Sequence, residues 1–447
     1  MPGASLWTGA RLWVRYLREA GLGPGDRVVL ALPPGPGFLY VLIAALCEEL
    51  TVAPLPVASG TVVGPETLSA RMEDLDARLV IHAPDDDVSG RAGFAPTDPD
   101  GLPPAGTPRP RESRLAPTPD LRLLLRTSGT TATPRWTALD DRNLWSVLNS
   151  HRPALGYDAE ARVLSHLPWA HAFGLVLELL PALLDGVEII RDPGGGRDVA
   201  RLLDFGLRHE ATHLNTVPLT IRRLARTAGG GDFLRGLRGG IVGGAPATFD
   251  VARILSATRL RPGYGQTEAS PGIMLGDPGD WRPFALGRPL GCRVRVAPDG
   301  ELEFDGENLA RGTFDREGLI PFPRGFFATG DLVAEHAGEY RFLGRKGAAF
   351  KLNHGRFIHP EPLEDLLRRE LPGIREAMLH CDDGEHVRLW IALREGGVAP
   401  GHSVLETLTG LRIAEVAIRP ADDFVYSNKG ALDRTATHRR ITSPATS

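Results

Sequence analysis

Between residues 8 and 20 apolar residues recur every three or four positions, Leu12, Val14 and Leu17 among them, and this spacing predicts an amphipathic helix. Gly21 to Asp26 reads as a turn, Val28 to Leu32 as a short buried strand, and Tyr40 to Glu49 as a helix. A further strand is expected over Leu121 to Leu125, and strands alternate with helices again across residues 159–271. Such alternation predicts an α/β architecture, a large N-terminal domain of largely parallel sheets flanked by helices. Residues 291–343 break the pattern. Arg293 to Val296, Glu301 to Phe304 and Tyr340 to Leu343 read as short strands between Gly and Asp turns, which predicts a small antiparallel sheet or β-barrel-like subdomain. After Gly344 the chain reads as a helix (Pro360 to Leu371), two strands (Ile374 to Leu379, Val387 to Leu393), a helix (Val404 to Thr409) and a strand (Ile413 to Ile418). That is a small α+β domain of about 100 residues. The stretch 83–120, dense in Pro, Gly and Asp, reads as a long surface connection.

Composition narrows the function classes. With 447 residues the chain exceeds one compact core, so two domains are expected. The net charge of -4 is unclustered and no basic stripe occurs, so nucleic acid is not an expected partner. Cys47, Cys292 and Cys381 lie far apart without a CxxC pair, which speaks against a disulfide framework or a cysteine-based zinc site and fits a reducing, cytoplasmic setting. The N-terminus lacks a signal-peptide pattern, and the longest apolar run, Phe38 to Leu46, is too short to span a bilayer.

Candidate chemistry begins at Arg126-Thr-Ser-Gly-Thr-Thr-Ala-Thr-Pro-Arg135, which follows an apolar strand. A polyphosphate needs donors that approach closely without bulk. Backbone N–H groups of a tight turn and Ser/Thr hydroxyls supply them, Gly129 permits unusual backbone angles, and Arg135 offers a charge-assisted bond. No Walker GxxxxGK[ST] pattern and no strand-linked GxGxxG is present.

Other segments follow in order: Leu167-Pro-Trp-Ala-His-Ala-Phe-Gly174, Gly243-Gly-Ala-Pro246, Tyr264-Gly-Gln-Thr-Glu268, Thr329-Gly-Asp331, and Gly344-Arg-Lys-Gly-Ala-Ala-Phe-Lys-Leu-Asn-His-Gly355. Together with the loop they resemble the adenylate-forming (AMP-binding) superfamily of acyl-CoA synthetases, acyl-AMP ligases and peptide-synthetase adenylation domains. The likeness runs from about Leu12 to Arg434. It implies that Thr127, Ser128, Gly129, Thr130, Thr131 and Arg135 hold the phosphates of ATP. Gly243, Gly244 and Ala245 would line adenine and the acyl group, with Tyr264 and Gly265 at the adenine ring. Thr267 would contact the α-phosphate and Glu268 would hold Mg²⁺, a cation that suits a single carboxylate among phosphate and water oxygens. Asp331 would take both ribose hydroxyls, since a carboxylate accepts two O–H donors, and Arg345 and Lys351 match the inter-domain segment. His171 would gate an acid pocket formed by Trp169, His171, Phe173, Val217, Gly243 and Gly244, which favours a hydrophobic or aromatic acid. The resemblance further implies an N-terminal domain over 1–343, a hinge over 344–348 and a mobile C-terminal domain over 349–447. Departures from the pattern stand at Ala132, Arg135, Trp136, Gly347 and Ala348. Trp136 in place of the usual Gly is expected to narrow the loop's exit.

Ser427-Asn-Lys-Gly-Ala-Leu-Asp-Arg434 occupies the place of the family's GKxDR segment. The family's lysine sets a cation between carboxylate and phosphate, where it offsets their repulsion. Alignment on Asp433 and Arg434 puts Ala431 at that lysine position and Lys429 two residues earlier, a displacement of about 6–7 Å on an extended chain. Three explanations stand beside each other: a deliberate Lys-to-Ala change, recruitment of Lys429 through a loop shift, or natural loss of the adenylating role. The expected chemistry is attack of the acid on the α-phosphorus of ATP, loss of pyrophosphate, and transfer of the acyl group to a thiol of coenzyme A or a carrier protein. Two alternatives remain open: nitrite as the adenylated oxyanion, with an arylamine as acceptor, and a non-catalytic nucleotide-binding protein.

Overall fold

A computed structural model of the chain describes residues 3–57, 65–84, 92–98, 100–105, 109–127, 135–354, 356–426 and 431–442. The helix Gly3–Glu19 buries Trp13, Tyr16 and Leu17 against the helix Pro36–Cys47. Both cover an eight-stranded sheet whose order is Gly318–Pro321, Gly312–Asp315, Trp136–Asp140, Leu121–Arg126, Thr51–Pro54, Arg27–Ala31, Leu79–His82, Phe94–Pro96. From Leu121–Arg126 to Phe94–Pro96 the neighbours run parallel. The strand Arg27–Ala31 is buried along its whole length, as parallel strands covered on both faces must be, and its Val28, Val29 and Leu30 are apolar on both sides of the pleat.

The stretch 83–120 is more than a surface connection. Its Phe94–Pro96 adds a parallel strand beside Leu79–His82, and residues 113–115 wrap the buried carboxylate of Asp76. Ser113 Oγ and the backbone N–H groups of Arg114 and Leu115 each donate to Asp76 Oδ2 at 2.7 Å. Arg27, 2% exposed, lies 3.4 Å from the same oxygen and donates from Nε to the Leu75 carbonyl at 2.8 Å. A buried carboxylate persists only when paired and bonded in this way.

A parallel three-stranded sheet, Glu188–Arg191, Arg162–Ser165, His213–Leu214, continues through bridges at His213–Gly239 and Thr216–Val242 into a second eight-stranded sheet. That sheet runs Ile241–Val242, Arg261–Tyr264, Met274–Leu275, Ala285–Pro289, Glu339–Arg345, Phe327–His336, Glu301–Asp305, Arg293–Val296. Its first pair is parallel and the rest antiparallel. The small antiparallel unit expected after residue 291 is thus the far end of an open sheet, with a linear strand order.

The C-terminal unit packs the helices Pro360–Glu370 and His402–Thr409 with the sheet Ile374–His380, Val387–Leu393, Ile413–Ile418 around its own core of Leu367, Leu379, Leu389 and Leu405. It meets the N-terminal unit along the helix Pro360–Glu370. The Phe249 N–H donates to Asp365 Oδ2 at 3.2 Å, and the Arg369 guanidinium stacks on the Phe249 ring at 4.7 Å. No helix among the described residues is long and apolar enough to cross a membrane.

Candidate active site

Tyr264 ends the strand Arg261–Tyr264, and Asp331 lies within the strand Phe327–His336. The Tyr264 hydroxyl donates to Asp331 Oδ2 at 2.7 Å. Across the adjoining strand pair Asp331 faces Arg345, whose Nε lies 2.7 Å from Oδ1. That approach has the distance of an ion pair without hydrogen-bond geometry, so buried Oδ1 makes no hydrogen bond among the described residues. Burial raises the Asp331 carboxyl above its ordinary value against the pull of Arg345 and Tyr264. Burial, and then the Asp331 charge, drives the Tyr264 phenol well upward, so it stays a proton donor.

The turn that presents Asp331 is tightly built. Thr329 Oγ1 donates to the Leu302 carbonyl at 2.7 Å and accepts from the Asp331 N–H at 3.1 Å. Gly330, at φ 77°, donates its N–H to Glu301 Oε1 at 2.8 Å, and Lys346 Nζ holds the other Glu301 oxygen at 2.6 Å. Only glycine takes that backbone angle without strain.

After Tyr264 the chain passes through Gly265, where a Cβ would meet the Pro271 carbonyl oxygen at 1.5 Å, so the backbone there admits no side chain. Thr267 and Glu268 then sit half-buried in the short 3₁₀ turn Thr267–Ala269. The Glu268 carbonyl accepts from the Ala310 N–H at 2.9 Å, and Asn308 donates to the Gly272 carbonyl at 2.7 Å, which fixes this turn against the 308–310 segment. Gly243 lies against Gly263, whose oxygen a Cβ at Gly243 would approach at 2.5 Å, and Gly244 follows at φ 77° with Ala245 half-buried beside it. The chain thus brings Tyr264, Gly265, Asp331 and Arg345 together, with Gly243 packed on the strand of Tyr264.

Ser128, Gly129, Thr130 and Thr131 lie outside the described residues, as do Lys429 and Gly355. The loop's two ends are joined by the Thr127 N–H donating to the Arg135 carbonyl at 3.2 Å, with the Arg135 side chain exposed. The loop whose exit Trp136 is expected to narrow lies outside the described residues, and the Trp136 side chain turns into the sheet's core. It is 1% exposed and packs into the core beside Phe314, its cross-strand partner. On the strand Trp136–Asp140 the side chain at this position points inward, and a bulky apolar residue there is absorbed by the sheet's buried face.

His171 precedes the short helical turn Ala172–Gly174, half-buried, with Phe173 half-buried behind it and Val217 at the start of the helix Pro218–Arg226. Trp169 is 2% exposed: its ring meets Phe38 at 5.6 Å and its indole N–H donates to Ser165 Oγ at 3.1 Å. Behind it lies a polar group that the sequence reading passed over. Arg191 stacks on Trp169 at 5.1 Å and donates to the Leu167 carbonyl at 2.7 Å and to Ser165 Oγ at 3.0 Å. Glu178, 1% exposed, accepts from Ser165 Oγ, and burial pushes its carboxyl up to about 8. One charge inside the apolar run Leu175 to Leu180 was the available signal. Lys351 is exposed, its ammonium 5.4 Å from the Phe357 ring within the C-terminal unit.

Ala431 stands half-buried beside Leu432, which bridges to Tyr426. The next two residues anchor this segment: the Asp433 N–H donates to the Val425 carbonyl at 2.8 Å, and Arg434 donates to both oxygens of Glu364, at 2.8 and 3.0 Å, and to the Leu379 carbonyl.

Residues 4–313 match the AMP-binding enzyme family. A sulfoacetate–CoA ligase of Cupriavidus necator is 30% identical to this chain, covering 88% of it and 82% of the ligase. A feruloyl-CoA synthase of an Amycolatopsis species is 29% identical over 78% of this chain and 74% of that protein. The fold is shared with the ATP-bound crystal structure of MatB from Rhodopseudomonas palustris, at a TM-score of 0.76, 24% identity and coverage of 97% of this chain and 92% of that one. The chain therefore belongs to the AMP-binding enzyme family and is an ATP-dependent acid ligase.

Proposed function

We propose that this ligase joins a small hydrophobic or aromatic carboxylic acid to AMP and then passes the acyl group to a thiol, that of coenzyme A or of a carrier-protein arm. The observation that carries the nucleotide site is Asp331, a buried carboxylate bonded to the Tyr264 hydroxyl, whose Oδ1 has the ion-pair approach of the exposed Arg345 at 2.7 Å but no hydrogen bond among the described residues. Buried acceptors of this kind are rarely left unmet, and ribose hydroxyls are donors of the right type. The two crowded glycines, Gly243 and Gly265, let the main chain at Gly263 and Pro271 pack closely on either side of Tyr264, which fixes the strand end that carries its ring.

In this reading Thr127, Ser128, Gly129, Thr130, Thr131 and Arg135 hold the phosphates, Tyr264 flanks adenine, Asp331 takes the ribose and Thr267 donates to the α-phosphate. Glu268 fits as the one protein carboxylate for Mg²⁺, which when bound neutralises charge on the departing pyrophosphate. The acid arrives ionised and needs no general base, so the residues act by positioning and charge stabilisation. Phe173, Val217, His171, Gly243 and Gly244 form the acid's surroundings. Arg191 is committed to Leu167 and Ser165, which leaves an apolar acid the better fit.

Ala431 slows the first step, because no cation is supplied from that position to bridge carboxylate and phosphate. The test is pyrophosphate release across a panel of aromatic, aliphatic and sulfonated acids, with nitrite included, by the chain and by its Ala431→Lys variant. Release dependent on one apolar acid, and faster in the variant, supports the reading. Release driven by nitrite alone, or none in either protein despite ATP binding, overturns it.

A further inference from the structure

At one end of the C-terminal sheet the strand Ile374–His380 finishes on His380, the following loop carries Asp382, and the helix Arg434–Thr442 lays His438 beside both. His380 Nδ1 lies 3.7 Å from Asp382 Oδ2, and His438 Nε2 lies 3.8 Å from Asp382 Oδ1. The two imidazoles are 5.5 Å apart between ring centres, and one donor atom from each of the three residues falls within 4.8 Å of the others. Ligands bound at about 2.1 Å to a tetrahedral cation stand about 3.4 Å apart. Small side-chain rotations close the difference.

His380 supplies a second and separate observation. It is 8% exposed, packed against the Trp390 ring at 3.9 Å between centres with the planes tilted by 44°, and neither of its ring nitrogens makes a hydrogen bond among the described residues. A buried nitrogen without a hydrogen bond is costly, and here both ring nitrogens are in that condition beside Asp382 and His438. Arg388 also reaches Asp382, at 3.2 Å from Oδ2, but it is shared with Glu415 at 3.6 Å, and Asp382 Oδ1 remains turned toward His438.

We propose that His380, Asp382 and His438 bind a divalent transition-metal cation, with zinc the best match to two imidazoles and one carboxylate. The three residues come from a strand end, a loop and the C-terminal helix, so the cation ties that helix to the sheet. No cysteine takes part, which is why a search for cysteine spacing does not find the site.

The test uses the full chain, freed of metal with a chelator and titrated with Zn²⁺ by calorimetry and with Co²⁺ by visible absorption. One equivalent of Zn²⁺ is expected, with a raised unfolding midpoint and Co²⁺ d–d bands of a low-coordinate nitrogen and oxygen site. His438→Ala, on a partly exposed helix face, and Asp382→Asn, on an exposed loop, should each weaken Zn²⁺ at least about tenfold and abolish the bands. Their circular dichroism in chelator should match the parent. Asp382→Asn keeps the test decisive if His438→Ala disturbs the helix. A parent chain that binds no Zn²⁺, or variants that bind it as tightly as the parent, would overturn the proposal.

Discussion

Asp331 is pulled in two directions. Burial favours its neutral form, while Arg345 and the Tyr264 hydroxyl favour the carboxylate. Replacing it with Asn keeps the shape and removes both the charge and one acceptor. Hydrogen bonds to a charged group contribute about 1.5–3 kcal/mol, so Asp331→Asn should weaken ATP binding about 10- to 100-fold. Tyr264→Phe, which keeps the ring and loses the bond to Asp331, should cost roughly tenfold or less. Calorimetric titration of ATP without acid measures both, and an unchanged affinity in Asp331→Asn would remove this residue from the nucleotide site. Glu178 gives a prediction about stability. A carboxyl raised to about 8 in the folded chain, from an ordinary 4.5, holds its proton where the unfolded chain has released it. Stability therefore falls as pH rises from the lower value through the higher one. Glu178→Gln, already neutral, should flatten that part of the curve when unfolding midpoints are recorded between about pH 5 and 9. That Tyr264 and Asp331 come together was expected from two short motifs whose spacing is local, and their side chains do meet. The inward side chain of Trp136 was not, since only its pairing with Phe314, far along the chain, fixes which face it occupies.

At the scale of elements, the helix Pro360–Glu370 makes contacts between the two units. Glu361 in its first turn lies where a Cβ on Gly344 would stand 2.9 Å from its Oε2, an oxygen that is buried without a hydrogen bond among the described residues. Burial, reinforced by Glu364, pushes the carboxyl up to about 7, with Arg434 opposing from its own unit and Asp331 and Arg345 acting from the other. A raised carboxyl favours the protonated, docked arrangement. Docking should be firmest below the ordinary value of 4.5 and weaken as pH rises through about 7. A fluorescence pair across the units should report opening over that window in the parent and a flat response in Glu361→Gln. A parent response that does not vary with pH would contradict the assignment. The helix itself was legible from its spacing and Pro at its start, as were the strands Val387–Leu393 and Ile413–Ile418. The three-residue strand Phe94–Pro96 was not, because it is too short to show a period and is held by Leu79–His82 and the clasp around Asp76.

The whole molecule separates two demands on one site. On the function proposed above, the first half-reaction needs a cation between two anions, and position 431 is where the resemblance would place it. The second needs only a thiol and the finished acyl-adenylate. Position 431 is held by a rigid base: Asp433 is bonded to Val425, and Arg434 is clamped by Glu364, itself 2% exposed. A side chain placed there inherits that geometry. Ala431→Lys should therefore raise acid-dependent pyrophosphate release by about a hundredfold or more. Transfer from separately prepared acyl-adenylate to coenzyme A should change little, because the lysine is needed only while pyrophosphate departs. Single-turnover measurement of the two steps distinguishes the outcomes. An equal gain in both would mean that position 431 acts by stabilising the C-terminal unit and not by bridging charge. No gain in either would mean that Lys429 already serves the first step.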